Sequence, residues 1–148
     1  MTRTEPATRS SRRSLRELWD KVRGVEIAML TTLDTDGTFR SRPMATQAIE
    51  SDEFLWFFAA RDSGKVAALR ANPQVGLVYA SPADHLYVMA SGKASVSDND
   101  AKARELWSKA AQEWFPGGPA DSGLVLICVD VDEAEWWDGM ESRPLDLG

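Results

Sequence analysis

Residues 38–47, TFRSRPMATQ, place Arg40 and Arg42 two positions apart in a stretch of extended character, with Pro43 directly after the second. Side chains i and i+2 of a strand share a face about 6.5–7 Å apart, so two guanidiniums can converge on one anion, and their forked donors suit phosphate. Pro43 cannot donate to a sheet ladder, which puts its backbone at an edge or bulge that a ligand can approach. A second cationic cluster, RDSGK at 61–65, follows an apolar run and opens a short helical pattern. The unpaired N–H groups of a first helical turn make an anion site, which the Ser63 hydroxyl and the Lys65 ammonium would complete. The glycine run and Gly-Lys-Ser/Thr ending of a Walker loop are absent. A capped surface helix with a solvated lysine has the same signature, so both readings stay open here. The third feature is EWWDG at 135–139: adjacent tryptophans in a strand face opposite sides, one toward the core and one toward a pocket or an interface.

Other residue types exclude chemistry. His85 is the only histidine, which removes most zinc sites and would hang a Ser-His-Asp triad on one strand residue near a turn. Cys128 is the only cysteine. It has no internal disulfide partner, as expected in the cytoplasm, and its apolar strand, GLVLICVDV, marks it as core filler. Asp34 to Gly37, DTDG, opens like a calcium loop, but position twelve is Ala45, so the string reads as a turn. A net charge of -6 argues against nucleic acid as partner. No apolar run approaches the roughly 20 residues of a membrane helix. Catalytic power would therefore have to come from a bound cofactor.

The elements that must position these residues follow from periodicity. The 148 residues suit one domain. MTRTEPATRSSRR at 1–13 reads as a disordered arginine-rich leader, and 141–148 as a C-terminal tail. Leu15, Leu18, Trp19 and Val22 predict a helix capped by Ser14 and stopped near Gly24. Thr-rich strands flank a hairpin turn in which Gly37 takes positive φ. EFLWFFAA at 53–60 is apolar at nearly every position, so a strand there is covered on both faces. Residues 63–73 predict a short helix capped by Ser63, and 74–80 a strand. A long strand spans 85–97 with a bulge at Gly92, a helix covers 99–114, and a last strand runs over 124–139. About six strands with inserted helices fit a mainly β fold, an antiparallel split barrel, better than a parallel βαβ array.

In their order and spacing, the strand arginine, the apolar strand, the Ser-x-Lys helix start, Asn72-Pro73, the long strand through SGKASV and the terminal WWDG resemble the pyridoxamine 5'-phosphate oxidase-like split barrels. The similarity is greatest to their general stress protein branch and runs from about Leu18 to Gly139. It implies a six-stranded antiparallel split β-barrel over 14–140, a homodimer, and flavin mononucleotide (FMN) in a cleft at the subunit interface. By that resemblance Arg42, Ser63 and Lys65 meet the phosphate. Pro43, Met44 and Gln47 run along the ring, Phe58 and Ala59 end the next strand beside it, and Tyr87 borders it. Trp137 reaches it from the partner subunit. Ala59 lacks the hydroxyl usual in the family, and Gly64 stands where the true oxidases place an arginine. The segment after WWDG, MESRPLDLG, has Arg143 but no histidine. Oxidation of pyridoxamine phosphate is therefore not expected. The implied function is an FMN-binding oxidoreductase of open substrate, with flavin adenine dinucleotide (FAD) as the other candidate cofactor. Alternatives are a non-catalytic flavin sensor or carrier, or a barrel that takes deazaflavin or haem.

Overall fold

Alternation of large apolar residues forces most of this chain into one antiparallel sheet. The computed structural model describes residues 14–47 and 53–147; the expected leader at 1–13 lies outside them. Helix α1 (Arg16–Val22) leads into β1 (Ile27–Leu33), β2 (Phe39–Ala45), β3 (Leu55–Ala60), α2 (Gly64–Ala71), β4 (Gln74–Ser81) and β5 (Leu86–Ser97). Helices α3 (Asp100–Leu106) and α4 (Lys109–Trp114), strand β6 (Leu124–Asp138) and strand β7 (Glu141–Pro144) complete it. The strand order is β2-β1-β4-β5-β6-β3, with β7 added to β6. The two end strands meet at one bridge, where the Gln47 N–H donates to the Trp56 carbonyl at 2.8 Å. The sheet curls but does not close, as expected of a split barrel.

Inside the curl lie Leu30, Leu55, Phe57, Leu77, Ile127 and Val129, all fully buried. Helix α1 adds Leu18, Trp19 and Val22 to that core, and α2 adds Val66 and Leu69. Each such side chain contributes roughly 1.5–3 kcal/mol relative to exposure. Strand β3 is covered on both faces, as its continuous apolar run requires. Leu55, Phe57 and Ala59 face the barrel core, while Trp56 and Phe58 join an outer cluster with Ala103, Leu106 and Ala111 of α3 and α4. Half-buried Cys128 packs against that outer cluster.

The hairpin turn carries Gly37 at φ 87°. The bulge falls between Ser91 and Gly92, and a Cβ on Gly92 would lie 2.1 Å from the Asp130 carbonyl oxygen. Only glycine allows β5 and β6 to approach so closely.

Four expectations need correction. The helix over 99–114 is two helices, because Trp107 leaves helical geometry at ψ 136° and its ring packs edge-on to Phe58. Asn99 caps the first and Ser108 the second, each side-chain oxygen accepting from an N–H three residues on. His85 is not a strand residue: it sits exposed at φ 52° in the turn after Pro82–Asp84. Ser63 occupies the N-cap position of α2, but its hydroxyl makes no capping bond. The segment expected as a tail is folded through residue 147: β7 pairs with the end of β6, and Leu145 and Leu147 are buried.

Candidate functional site

Strand β2 has a neighbour, β1, on one side only, so its other edge borders the split. Pro43 sits on that edge strand, where a missing N–H is tolerated. On the face of β2 that carries buried Met44, Arg42 is half-buried and Arg40 is exposed. The two arginines converge, and the anion between them within this chain is Asp34. Arg42 donates from Nη1 to Thr32 Oγ1 (2.9 Å) and from Nη2 to Asp34 Oδ2 (3.4 Å). Arg40 Nε lies 3.3 Å from the same carboxylate oxygen. Thr32, which is buried, donates to the other one at 2.8 Å. This network holds the Arg42 guanidinium in one orientation.

Helix α2 begins beside that guanidinium. A Cβ on Gly64 would lie 3.8 Å from Arg42 Nη2. Burial pushes the Lys65 ammonium below the ordinary lysine range, and the Arg42 charge adds to the shift. Ser63 Oγ is buried there without a hydrogen-bond partner among the described residues. Two desolvated cations and a hydroxyl left unpaired among the described residues stand together at this helix start, an arrangement able to hold an anion, and the unpaired hydroxyl costs about 1–3 kcal/mol unless a partner satisfies it.

A cleft of about 470 Å³ opens from Lys65 along the split. Pro43, Met44 and Gln47 form its β2 wall, and Phe58 and Ala59 its β3 wall. The third wall is α4, with Ala110, Ala111, Trp114 and Phe115. That wall was not legible from sequence. Its one signal was the Trp114-Phe115 pair ending a helix, with small alanines one turn earlier.

The remaining sequence candidates lie elsewhere. Tyr87 and Trp137 do not line this cleft. They occupy the outer face of the β5–β6 pair, next to the Val88–Trp136 rung, whereas Trp136 packs against the core under Lys21 Nζ at 3.5 Å. Arg61, the first residue of the cationic cluster at 61–65, is turned away. It pairs with Asp98 and donates from Nε to the Ser122 carbonyl at 2.7 Å. That pairing holds the Asp98 carboxyl below its ordinary range. His85 is outside the cleft as well.

Residues 13–146 match the family model described as pyridoxamine 5'-phosphate oxidase like. Among solved structures, general stress protein 26 from Bacillus anthracis str. Sterne is 23% identical with a TM-score of 0.74, over 88% of this chain and 98% of that one. The general stress FMN/FAD binding protein from the phytopathogen Xanthomonas citri is 28% identical with a TM-score of 0.71, over 86% and 90%. An F420 reductase shares the fold at 19% identity and a TM-score of 0.62, over 78% and 94%. No curated protein matches the chain in sequence.

Proposed function

This chain belongs to the pyridoxamine 5'-phosphate oxidase-like family, and on that premise we propose that the cleft binds FMN, with FAD as the other candidate, and serves a flavin-dependent oxidoreductase acting as a homodimer. The observation that carries the reading is the meeting of Arg42, the Ser63 hydroxyl and Lys65 at the start of α2, from which Lys65, alone of the three, lines the apolar cleft. The FMN/FAD binding of the Xanthomonas citri relative, at 28% identity, supports it.

In this reading Arg42, Ser63 and Lys65 hold the phosphate. Pro43, Met44, Gln47, Phe58 and Ala59 position the ring and exclude water from it. A bound flavin supplies hydride transfer, which none of these side chains can perform. Thr32 and Asp34 keep Arg42 from swinging toward solvent.

Tyr87 and Trp137 act on the partner's cleft. The outer face of β1, β4 and β5 supports a dimer: Ile27, Met29, Val78 and Tyr87 are each 38–46% exposed there, and Met29, Val78 and Met89 stand on one rung. Neighbouring apolar side chains on a bare sheet face are the mark of an interface.

Arg143 pairs at the surface with Asp138 and Glu141. The polar side chains lining the cleft are Glu26, Gln47 and Lys65. Among the described residues, that small number of groups able to move a proton favours, as second reading, a sensor or carrier that binds flavin without turnover. Haem has no histidine in the cleft to hold it.

Titration of the purified protein with FMN, FAD and riboflavin, followed by the visible flavin band, tests the binding. No saturable binding of any of the three sinks it. Anaerobic reduction of the bound flavin by NADH or NADPH separates the readings: saturable, rapid reduction marks an oxidoreductase, and slow, non-saturating reduction by every donor marks a sensor or carrier.

A further inference from the structure

We infer that Trp114 is the side chain that covers the planar ring of the ligand in the cleft, an inference that rests on the flavin reading and extends it to an element with no part in phosphate binding. Trp114 lines the cleft and yet is 77% exposed. An indole left in water loses more than almost any other side chain, so its placement at a cavity mouth points to a ring that stacks on it.

The exposure does not come from a loosely held helix. Ala111, one turn earlier, is 3% exposed. At one end of α4 the Ser108 hydroxyl donates to Gln47 Oε1 at 3.4 Å. At the other, Phe115 packs on Phe58 with ring centres 6.3 Å apart. Helix α4 is therefore tied to Gln47, just past β2, and to Phe58 of β3, on either side of the split, and Trp114 projects from a fixed platform.

The chemistry of the walls gives the ligand a direction. Positive charge enters from the Lys65 end, while the cleft residues of α4 and its C-cap Phe115 are all uncharged. A molecule anchored there by its phosphate turns its uncharged planar part toward α4. Ala110 and Ala111, with Ala59 of β3, leave the space that a flat ring fills, and Trp114 closes over it.

The experiment uses the full-length protein with FMN and riboflavin, the second lacking the phosphate. Trp114→Ala weakens both by the same factor, about fivefold for one aromatic stacking contact. Trp114→Phe retains most of the affinity but loses the largest share of the tryptophan fluorescence quenching that flavin produces in the unsubstituted protein. Thermal unfolding without ligand stays unchanged in both, because the side chain is exposed. If Trp114→Ala binds riboflavin as tightly as the unsubstituted protein and Trp114→Phe retains full quenching, this inference falls alone. If the unsubstituted protein binds neither flavin, the flavin reading falls and takes this one with it.

Discussion

Replacing Lys65 with Met should move ligand affinity and protein stability in opposite directions. Lys65 is half-buried, and both burial and the neighbouring Arg42 disfavour its charge. The sign follows from linkage. A lysine whose folded pKa lies below its unfolded value destabilises the folded state while it is charged in both. The penalty disappears as pH rises from the lowered folded pKa toward the ordinary 10.5. At neutral pH Lys65→Met therefore removes a cost, reduced by solvent screening, and the Tm of the ligand-free protein rises slightly. Affinity for a phosphate ester falls, because a charge-assisted hydrogen bond worth about 1.5–3 kcal/mol is lost, roughly 10- to 150-fold in Kd. Isothermal titration with FMN and with riboflavin, beside thermal unfolding of the ligand-free protein, reads all three quantities. FMN binding should weaken, riboflavin binding should hold, and Tm should rise slightly. Equal losses for the two flavins, or a Tm that drops by several degrees, would refute the assignment of Lys65 to a phosphate site.

Three more expectations follow from the same geometry. Arg42→Ala should weaken FMN at least about tenfold while Arg40→Ala stays within about twofold, because their side chains are 18% and 59% exposed, and parallel titrations compare them. The ratio of FMN to riboflavin affinity should decline with rising pH from below the usual lysine range, as Lys65 loses its proton early; Lys65→Arg should flatten that decline in the same pH series. Gly92→Ala should cost at least about 2 kcal/mol in thermal unfolding, since the new Cβ meets the Asp130 backbone, whereas Gly76→Ala, with open space around it, should cost far less.

The homodimer has its own test in Val78→Asp, which puts a charge in the middle of the Met29–Val78–Met89 rung. Light scattering should report a dimer for the unsubstituted protein and a monomer for Val78→Asp, with the fold retained by circular dichroism.

Strands β1 to β6, the doubly covered β3, the Gly37 turn and the Gly92 bulge were legible in the residues themselves, because each depends on local periodicity or on a steric need only glycine meets. So were Arg42, Ser63 and Lys65 as cationic and hydroxyl donors near strand and helix starts. Sequence could not decide what lay opposite them. That Arg40 and Arg42 share Asp34, that Arg61 turns away to Asp98, and that Lys65 is desolvated beside Arg42 depend on which strands are neighbours. Only the tertiary structure broke the 99–114 helix at Trp107, where packing on Phe58 outweighed helical propensity, and thereby built the α4 wall. The tail became a strand for a similar reason: Leu145 and Leu147 have no periodic context to announce them, but the open edge at the end of β6 pairs with β7 and buries both. Local pattern set what each segment could be. Contacts between distant segments set which of those segments make a site.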